Sequence, residues 1–411
     1  MKIKSLAFNV AVAAGAFAAG SASAAGFALQ NQNGAGTGYA YAGSAAVAED
    51  ASTIYFNPAG MLYLSEGHHL TGALTVLDRS LEFSNKGTSY PGTNGGDAGG
   101  GSLVPAGYWA MSLSKDIRVG VGISPTFGNA TEWDDTFAGR IQGVYSEIKA
   151  ININPSAAFK VNDIVSFGFG VNYVDFEADL RGIAPVAGAE RKNMLAGDDS
   201  AWGWNAGALF QISSATRLGV MYRSSIDLDV EGDLSIAGLG SQPAKVAIEL
   251  PESFSLALAH QVNDKLQLLA DYTWTGWGSI PRLRVTSGAS GALLTNEELG
   301  FKDSYRVGVG MQYQYTDELR LRAGVAYDQS PVRSAADRTV RLPDSDRTWL
   351  AFGMNYKLNK QTSIDAGYAH LFFDKEGIDR QTVPGVPAFG SVRGTFDTSV
   401  NIFSVQLNHA F

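Results

Sequence analysis

Residue types that could carry covalent chemistry are sparse in this chain. Nucleophilic hydrolysis needs a serine with a histidine base within hydrogen-bond reach. The five histidines are His68, His69, His260, His370 and His409; none lies in a recognisable catalytic motif, and His409 falls in register with the apolar residues of the last segment. There is no cysteine, which excludes disulfides and thiolate metal sites. No metal-ligand cluster and no phosphate-cradling glycine loop is present, so no catalytic residue, metal ligand or cofactor is assigned. A formal net charge of −9 argues against a nucleic-acid partner. What remains is noncovalent handling of a ligand, and that depends on the elements that would surround it.

Those elements are strands. Tyr305, Val307, Val309, Met311, Tyr313 and Tyr315 alternate with Arg306, Gly308, Gly310, Gln312 and Gln314. Leu319 to Asp328, Leu350 to Leu358 and Leu266 to Trp274 repeat the rule, and the chain closes with Phe403, Val405, Leu407, His409 and Phe411 on one face. The opposite face carries charge and glycine in strand after strand, which suits an apolar exterior around a polar lumen. Near-neutral hydropathy without a helix-length apolar run after the N-terminus fits a transmembrane barrel, because lipid-facing and lumen-facing residues average out.

Strand number follows from the turns. Short polar turns lie at Ser114-Lys115-Asp116, Asn162-Asp163, Ser213 to Thr216, Asn263-Asp264, Thr316-Asp317 and Asn359-Lys360. Six turns join twelve strands, and one more strand at each end makes fourteen, so the expected fold is all-β, a 14-stranded antiparallel transmembrane β-barrel. The long connections, 79–101, 126–146, 181–200, 231–246, 277–300, 329–346 and 374–397, then all fall on one side. The charges Asp271, Arg306, Arg320, Arg322 and Asp365 face the lumen, and a paired lattice is expected for them.

Before the strands come two other segments. A basic start at Lys2 and Lys4, an apolar run from Leu6 to Ala19 and the small residues Ala22-Ser23-Ala24 read as a signal peptide over 1–24. Residues 25–61 have neither strand nor helix period and end in Asn57-Pro58-Ala59-Gly60. Fourteen strands enclose a lumen too wide for side chains to fill, so this stretch is placed inside as an N-terminal hatch, with the barrel over 62–411. Asn57, Pro58 and Ala59 by themselves would read as a simple turn.

Together with the AGF start, Gly34, Gly36, Tyr39-Ala40-Tyr41, Gly43 and Glu49-Asp50-Ala51, the NPAG sequence resembles the hatch of the FadL family, outer-membrane transporters of long-chain fatty acids and other hydrophobic compounds. FGNATEWDDTFAGR at 127–140, VSFGFG at 165–170, WGWNAG at 202–207, GFKDSYRVGVG at 300–310 and LPDSDRTWLAFG at 342–353 also look like family segments. The resemblance implies loop capture, a lumen pocket above the hatch and lateral release where the third strand is kinked. That strand contains Gly120, Gly122, Pro125 and Gly128; read alone, Pro125 could equally end the strand, and the resemblance implies the kink.

Several residues follow from the same resemblance. Phe27 matches a hatch position near the bound tail. The apolar stretches Ile183 to Ala187 and Leu234 to Leu239, with Ile236 and Leu239, correspond in order to the capturing loops. The family's carboxylate-binding Arg and Lys are matched by Arg181, near the top of the fifth strand, and by Lys302 within GFKD; Glu297-Glu298 stands where the family's Lys would be. An acidic pair there would repel a carboxylate, which leaves neutral aromatic or aliphatic hydrocarbons as alternative cargo. An outer-membrane lipid hydrolase is the alternative from another class, and a general diffusion porin would have no use for such a plug. The implied setting is the outer membrane of a Gram-negative bacterium. Outer-membrane lipid and lipopolysaccharide would surround a monomer, and the barrel assembly machinery would read the terminal Phe411.

Overall fold

The computed structural model describes residues 26–186, 188–383 and 389–411, so the expected signal peptide and Ala25 lie outside the described residues. Nineteen strands occur among them. The first seven are β1 (His68–Asn85), β2 (Gly100–Ser112), β3 (Ile117–Glu132), β4 (Tyr145–Lys160), β5 (Val165–Val186), β6 (Ala189–Ser213) and β7 (Thr216–Arg223). A hairpin of β8 (Ile226–Ile236) and β9 (Gly240–Leu250) precedes β10 (Ser253–Gln261) and β11 (Leu266–Thr275). A second hairpin, β12 (Arg282–Ser287) and β13 (Leu293–Glu298), precedes β14 (Ser304–Gln314), β15 (Leu319–Asp328), β16 (Arg347–Lys357) and β17 (Thr362–Phe373). Short β18 (Gly377–Gln381) and long β19 (Ser391–Ala410) complete the chain.

Fourteen of these strands close a ring. Each of β1 to β7 is antiparallel to the next; β7 then pairs with β10, β11 with β14, and β17 with β19. Pairing of β19 with β1, from His69↔Ala410 to Asn85↔Gly394, closes the barrel. All six expected short turns sit between consecutive wall strands. Outward positions are apolar and exposed, as at Val309 (54%), Phe352 (53%) and Val405 (57%), while Arg306, Arg322 and Gln406 on the alternate face are buried. An open sheet edge in lipid would leave backbone groups unsatisfied, and closure removes it.

The long connections differ from the sequence reading. Of 181–200, expected as a loop, residues 181–186 and 189–200 continue the β5–β6 hairpin, and 231–246 lie within the β8–β9 hairpin, which pairs with β6 from Asn193↔Ile236 to Asp198↔Glu231. Residues 79–85 and 126–132 likewise remain strand, 277–300 hold a hairpin, and 377–381 pair with β19. The cause is legible in the outer face of β5: above Tyr173 it carries Asp175, Glu177, Asp179 and Arg181, so the apolar alternation ends where lipid ends although the ladder goes on. A strand needs only about 9–11 residues to cross a bilayer. The hairpins therefore stand well clear of it.

Residues 26–67 precede the first strand, which starts at His68 and not near Leu62. They form three short helices, Gly34–Gly38, Ser44–Val47 and Thr53–Phe56, and a 3-10 stretch, Pro58–Tyr63. Inward side chains of the wall hold them. Gln406 accepts from the amides of Gly34 (2.9 Å) and Ala35 (3.0 Å), and Arg217 donates to the carbonyls of Ala46 (3.2 Å) and Val47 (3.0 Å). Glu49 is bound by Arg320 at 2.7 Å and Arg322 at 2.9 Å; Arg322 also pairs with Asp365, and Arg306 with Asp271 at 3.1 Å. Every lumen charge expected to be paired is thus paired.

Asn57 is more than a turn residue. Its Oδ1 caps the Ala59 amide at 3.1 Å, and its Nδ2 donates to the carbonyls of Ala45 (2.9 Å), Ala208 (3.0 Å) and Val220 (3.3 Å), joining a helix of the N-terminal segment to two wall strands. This approach requires bare backbone opposite. A Cβ at Gly207 would lie 2.2 Å from Asn57 Oδ1, and one at Gly168 would lie 2.2 Å from the Ala59 nitrogen. Those two glycines are the physical content of the WGWNAG and VSFGFG segments.

Candidate functional site

The wall has one interruption in its ladder that coincides with apolar side chains inside. Pairing of β2 with β3 runs only from Ser112↔Arg118 to Gly107↔Ile123, although β2 continues to Gly100 against β1. Beyond Ile123, β3 stays paired with β4, but the register shifts between Pro125 and Phe127. Pro125 has no N–H to give to a ladder. The extra residue, Thr126, inverts the alternation: Ile123 opposes Ile153, whereas Phe127 opposes the lumen-facing Ala150 and is itself 7% exposed. The sequence expectation of a defect at Gly120, Gly122, Pro125 and Gly128 thus corresponds to a bulged strand that continues to Glu132.

The vacated edge of β3 is taken by the start of the described chain. Leu29 donates its amide to Thr126 O at 2.8 Å, Gly128 donates to Phe27 O at 2.7 Å, and Ala28 forms an isolated bridge with Phe127. Gln32 Nε2 reaches Pro125 O at 2.7 Å. The Phe27 ring lies 5.7 Å from that of Phe127 and 4.8 Å from that of Trp277. The Gly26 amide donates to Asp344 Oδ2 at 3.0 Å, and Asp344 also accepts from Ser330 Oγ and pairs with Arg347 at 3.2 Å. Burial pushes the Asp344 carboxyl above its ordinary range, against the opposing pull of Arg347 and these hydrogen bonds.

Above this junction lies a cavity of about 340 Å³ between β5, β6 and the two hairpins. Its lining includes Ala178, Leu180, Leu195, Val230, Leu234, Ile236, Ala244, Val246, Ile248, Leu283, Val285 and Leu294, with Glu297 and Arg341 as its charged members. Val230, Ala244, Val246 and Val285 belong to the same buried apolar cluster as Phe27, Phe127 and Trp277. One continuous apolar body therefore runs from the hairpins to the bulge. Space of this size with few polar groups suits a small apolar ligand.

The residues singled out in the sequence are distributed unevenly around it. Phe27 lies in the apolar cluster, and Ile236 lines the cavity. Leu239 is 58% exposed at the tip of the β8–β9 hairpin. Arg181 projects from the outer face of β5, half-exposed, bound to Asp179 at 2.5 Å with its guanidinium 4.6 Å above the Tyr145 ring. Lys302 is fixed through its amide to Pro331 O at 2.9 Å and does not line the cavity. Arg341, which does, was missed, because its partners lie far away in the chain: Nη1 donates to Tyr145 O (2.8 Å), Ser146 Oγ (3.0 Å) and Arg181 O (3.1 Å). Burial lowers its basicity from the ordinary arginine value, which Glu297 partly offsets.

No histidine joins a carboxylate among the described residues; His260 bonds Thr216 Oγ1 at 2.9 Å and His370 bonds Asn401 Oδ1 at 2.8 Å.

Comparison with known proteins agrees with this architecture. Residues 15–411 match the family model described as outer membrane protein transport protein (OMPP1/FadL/TodX). Outer membrane protein P1 of Haemophilus influenzae is 30% identical over 90% of this chain and 91% of its own. The long-chain fatty acid transport protein of Salmonella typhi is 30% identical over 80% of this chain and 83% of its own. The crystal structure of a Pseudomonas aeruginosa FadL homologue superposes with a TM-score of 0.87 at 25% identity, covering 94% of this chain and 100% of that one.

Proposed function

From a chain that belongs to the OMPP1/FadL/TodX family of outer membrane transport proteins, and so is a multi-pass barrel of the Gram-negative outer membrane moving hydrophobic compounds, we propose a carrier of long-chain fatty acids that releases them through its wall. The hairpins carrying Ile236 and Leu239 take up the ligand, the cavity holds it, and the N-terminal segment, with Asn57, Pro58 and Ala59 as its fixed end, blocks the straight path. Release is sideways between β2 and β3, at Gly120, Gly122, Pro125 and Gly128, once the Phe27 segment leaves the β3 edge. An apolar chain gains about 0.8 kcal/mol per methylene by entering lipid, whereas a straight exit passes the Glu49–Arg320–Arg322 charges.

The observation that carries this reading is the bulge at Thr126, which turns Phe127 into the lumen at the point where the β2–β3 ladder stops. Deleting Thr126 removes the bulge and makes the β3–β4 register continuous, with Phe127 still opposite Ala150, so the kink is lost and the inward ring is kept. The deleted protein is expected to insert and fold, with uptake of a radiolabelled fatty acid by whole cells lost; uptake at the parental rate would refute wall release. A second reading, import of neutral hydrocarbons, is supported by Glu297 at the cavity, since a carboxylate there opposes an anionic ligand.

A further inference from the structure

We propose that Arg341 is the head-group clamp of the cavity, and that the ligand is accordingly a single-chain amphiphile ending in a carboxylate, with its tail between the β8–β9 and β12–β13 hairpins. This rests on the transport reading above and decides between its two cargo classes.

Arg341 is anchored on both sides. Its carbonyl accepts from Asn129 Nδ2 at 3.0 Å and Thr131 Oγ1 at 3.3 Å, both on β3 above the bulge, and the preceding Val340 carbonyl accepts from Trp133 Nε1 at 3.0 Å. With Nη1 held by the Tyr145 and Arg181 carbonyls and Ser146 Oγ, the guanidinium has a fixed place in the cavity lining. Nε and Nη2 have no hydrogen-bond acceptor among the described residues, and no carboxylate lies within 4.0 Å.

Four other arginines at this end of the barrel are neutralised by carboxylates. Arg140 pairs with Glu190 at 2.6 Å, Arg347 with Asp344 at 3.2 Å, Arg338 with Glu376 at 3.6 Å, and Arg380 with Glu297 at 4.0 Å. The last of these pairs shifts the weight of Glu297. That carboxylate faces the cavity but has Arg380 as a counter-ion, and Asp179, the other acid felt by Arg341, is held by Arg181 at 2.5 Å. Arg341 is left with a positive charge inside aliphatic walls and two donors turned away from backbone acceptors.

Nη2 lies opposite Gly182, where a Cβ would stand 3.5 Å away, at ordinary contact distance, so residue 182 puts no side chain on that face of the guanidinium. A carboxylate seated at that face receives a charge-assisted pair of hydrogen bonds in a fork geometry. A neutral hydrocarbon in the same cavity would strip water from the guanidinium and return nothing, so the site discriminates by an unpaired donor.

The test compares oleate with oleyl alcohol, which has the same chain and no charge, binding to purified full-length protein in mild detergent. Wild type should prefer oleate. Arg341→Gln should weaken oleate by ~10-fold or more, as expected for loss of a charged hydrogen bond, and leave the alcohol within about 2-fold. Arg341→Lys should fall between, and retained alcohol binding shows that the variants are folded. Undiminished oleate binding by Arg341→Gln, or equal loss of both ligands, overturns the clamp. If the alcohol binds and is lost on Ile236→Asp while oleate ignores Arg341, only the clamp falls. If wild type binds neither ligand, the transport reading falls with it.

Discussion

Replacing Phe27 by alanine tests the junction between the N-terminal segment and the bulged strand. The ring is 6% exposed and packs on Phe127 and Trp277, and three hydrogen bonds, from Leu29, Gly128 and Gly26, fix the backbone around it. Truncating a buried phenylalanine to alanine costs about 3–5 kcal/mol. The ring closes through strand pairings that do not involve residues 26–29, so the loss falls on local opening of that segment. At about 1.4 kcal/mol per tenfold, even the lower figure raises the open population by ~10²-fold. Hydrogen exchange reads that population directly, through the Leu29 and Gly128 amides that donate across the junction. Phe27→Ala should speed exchange at both by ~10²-fold, with amides of β14 and β15 unchanged as internal references. A change of less than about threefold would show that the ring does not hold the segment, and the release step proposed above would lose its physical basis.

Two further outcomes separate the parts of the site. Ile236→Asp puts a carboxylate into the aliphatic lining and should lower fatty acid binding by ~10-fold or more, whereas Leu239→Asp, at an exposed tip, should slow uptake in cells with little change in equilibrium binding; equal effects would place both residues in one role. Burial holds the Asp344 carboxyl above its usual range, so its bound proton favours the folded form: that contribution is complete below the unfolded value of about 3.9 and is lost as pH rises through the raised folded value. Relative to Asp344→Asn, wild type should therefore lose thermal stability in detergent as pH rises above about 4, and a pH-independent difference between the two would refute the assignment.

The wall was legible in the sequence because lipid enforces one rule at every outward position. Val307, Val309 and Met311 must be apolar whatever they touch, so alternation and turn spacing suffice to count strands. The hairpins escaped the same reading. Above the membrane the outer face of β5 meets water, and Asp175, Glu177 and Asp179 erase the pattern while the hydrogen bonds persist. Pro125 announced a defect but not its consequence: which way Phe127 turns depends on the single unpaired residue Thr126, and that is a matter of register with β4. Arg341 was hidden for another reason. It is an unremarkable basic residue in a connecting segment, and only contacts nearly two hundred positions away, with Tyr145 and Ser146, bring it to the cavity.

The Gln406 contacts carry a consequence for assembly. This residue of the last strand binds the amides of Gly34 and Ala35 and, through Nε2, Asp50 at 2.8 Å, while the same strand closes the ring against β1. The N-terminal segment therefore has no complete seat until the final strand is in place, although it leaves the ribosome first. Seating this segment and finishing the cylinder become a single late event of very high contact order. An unfinished barrel leaves the N-terminal segment unseated, and a chain truncated before Gln406 would be defective at both ends at once.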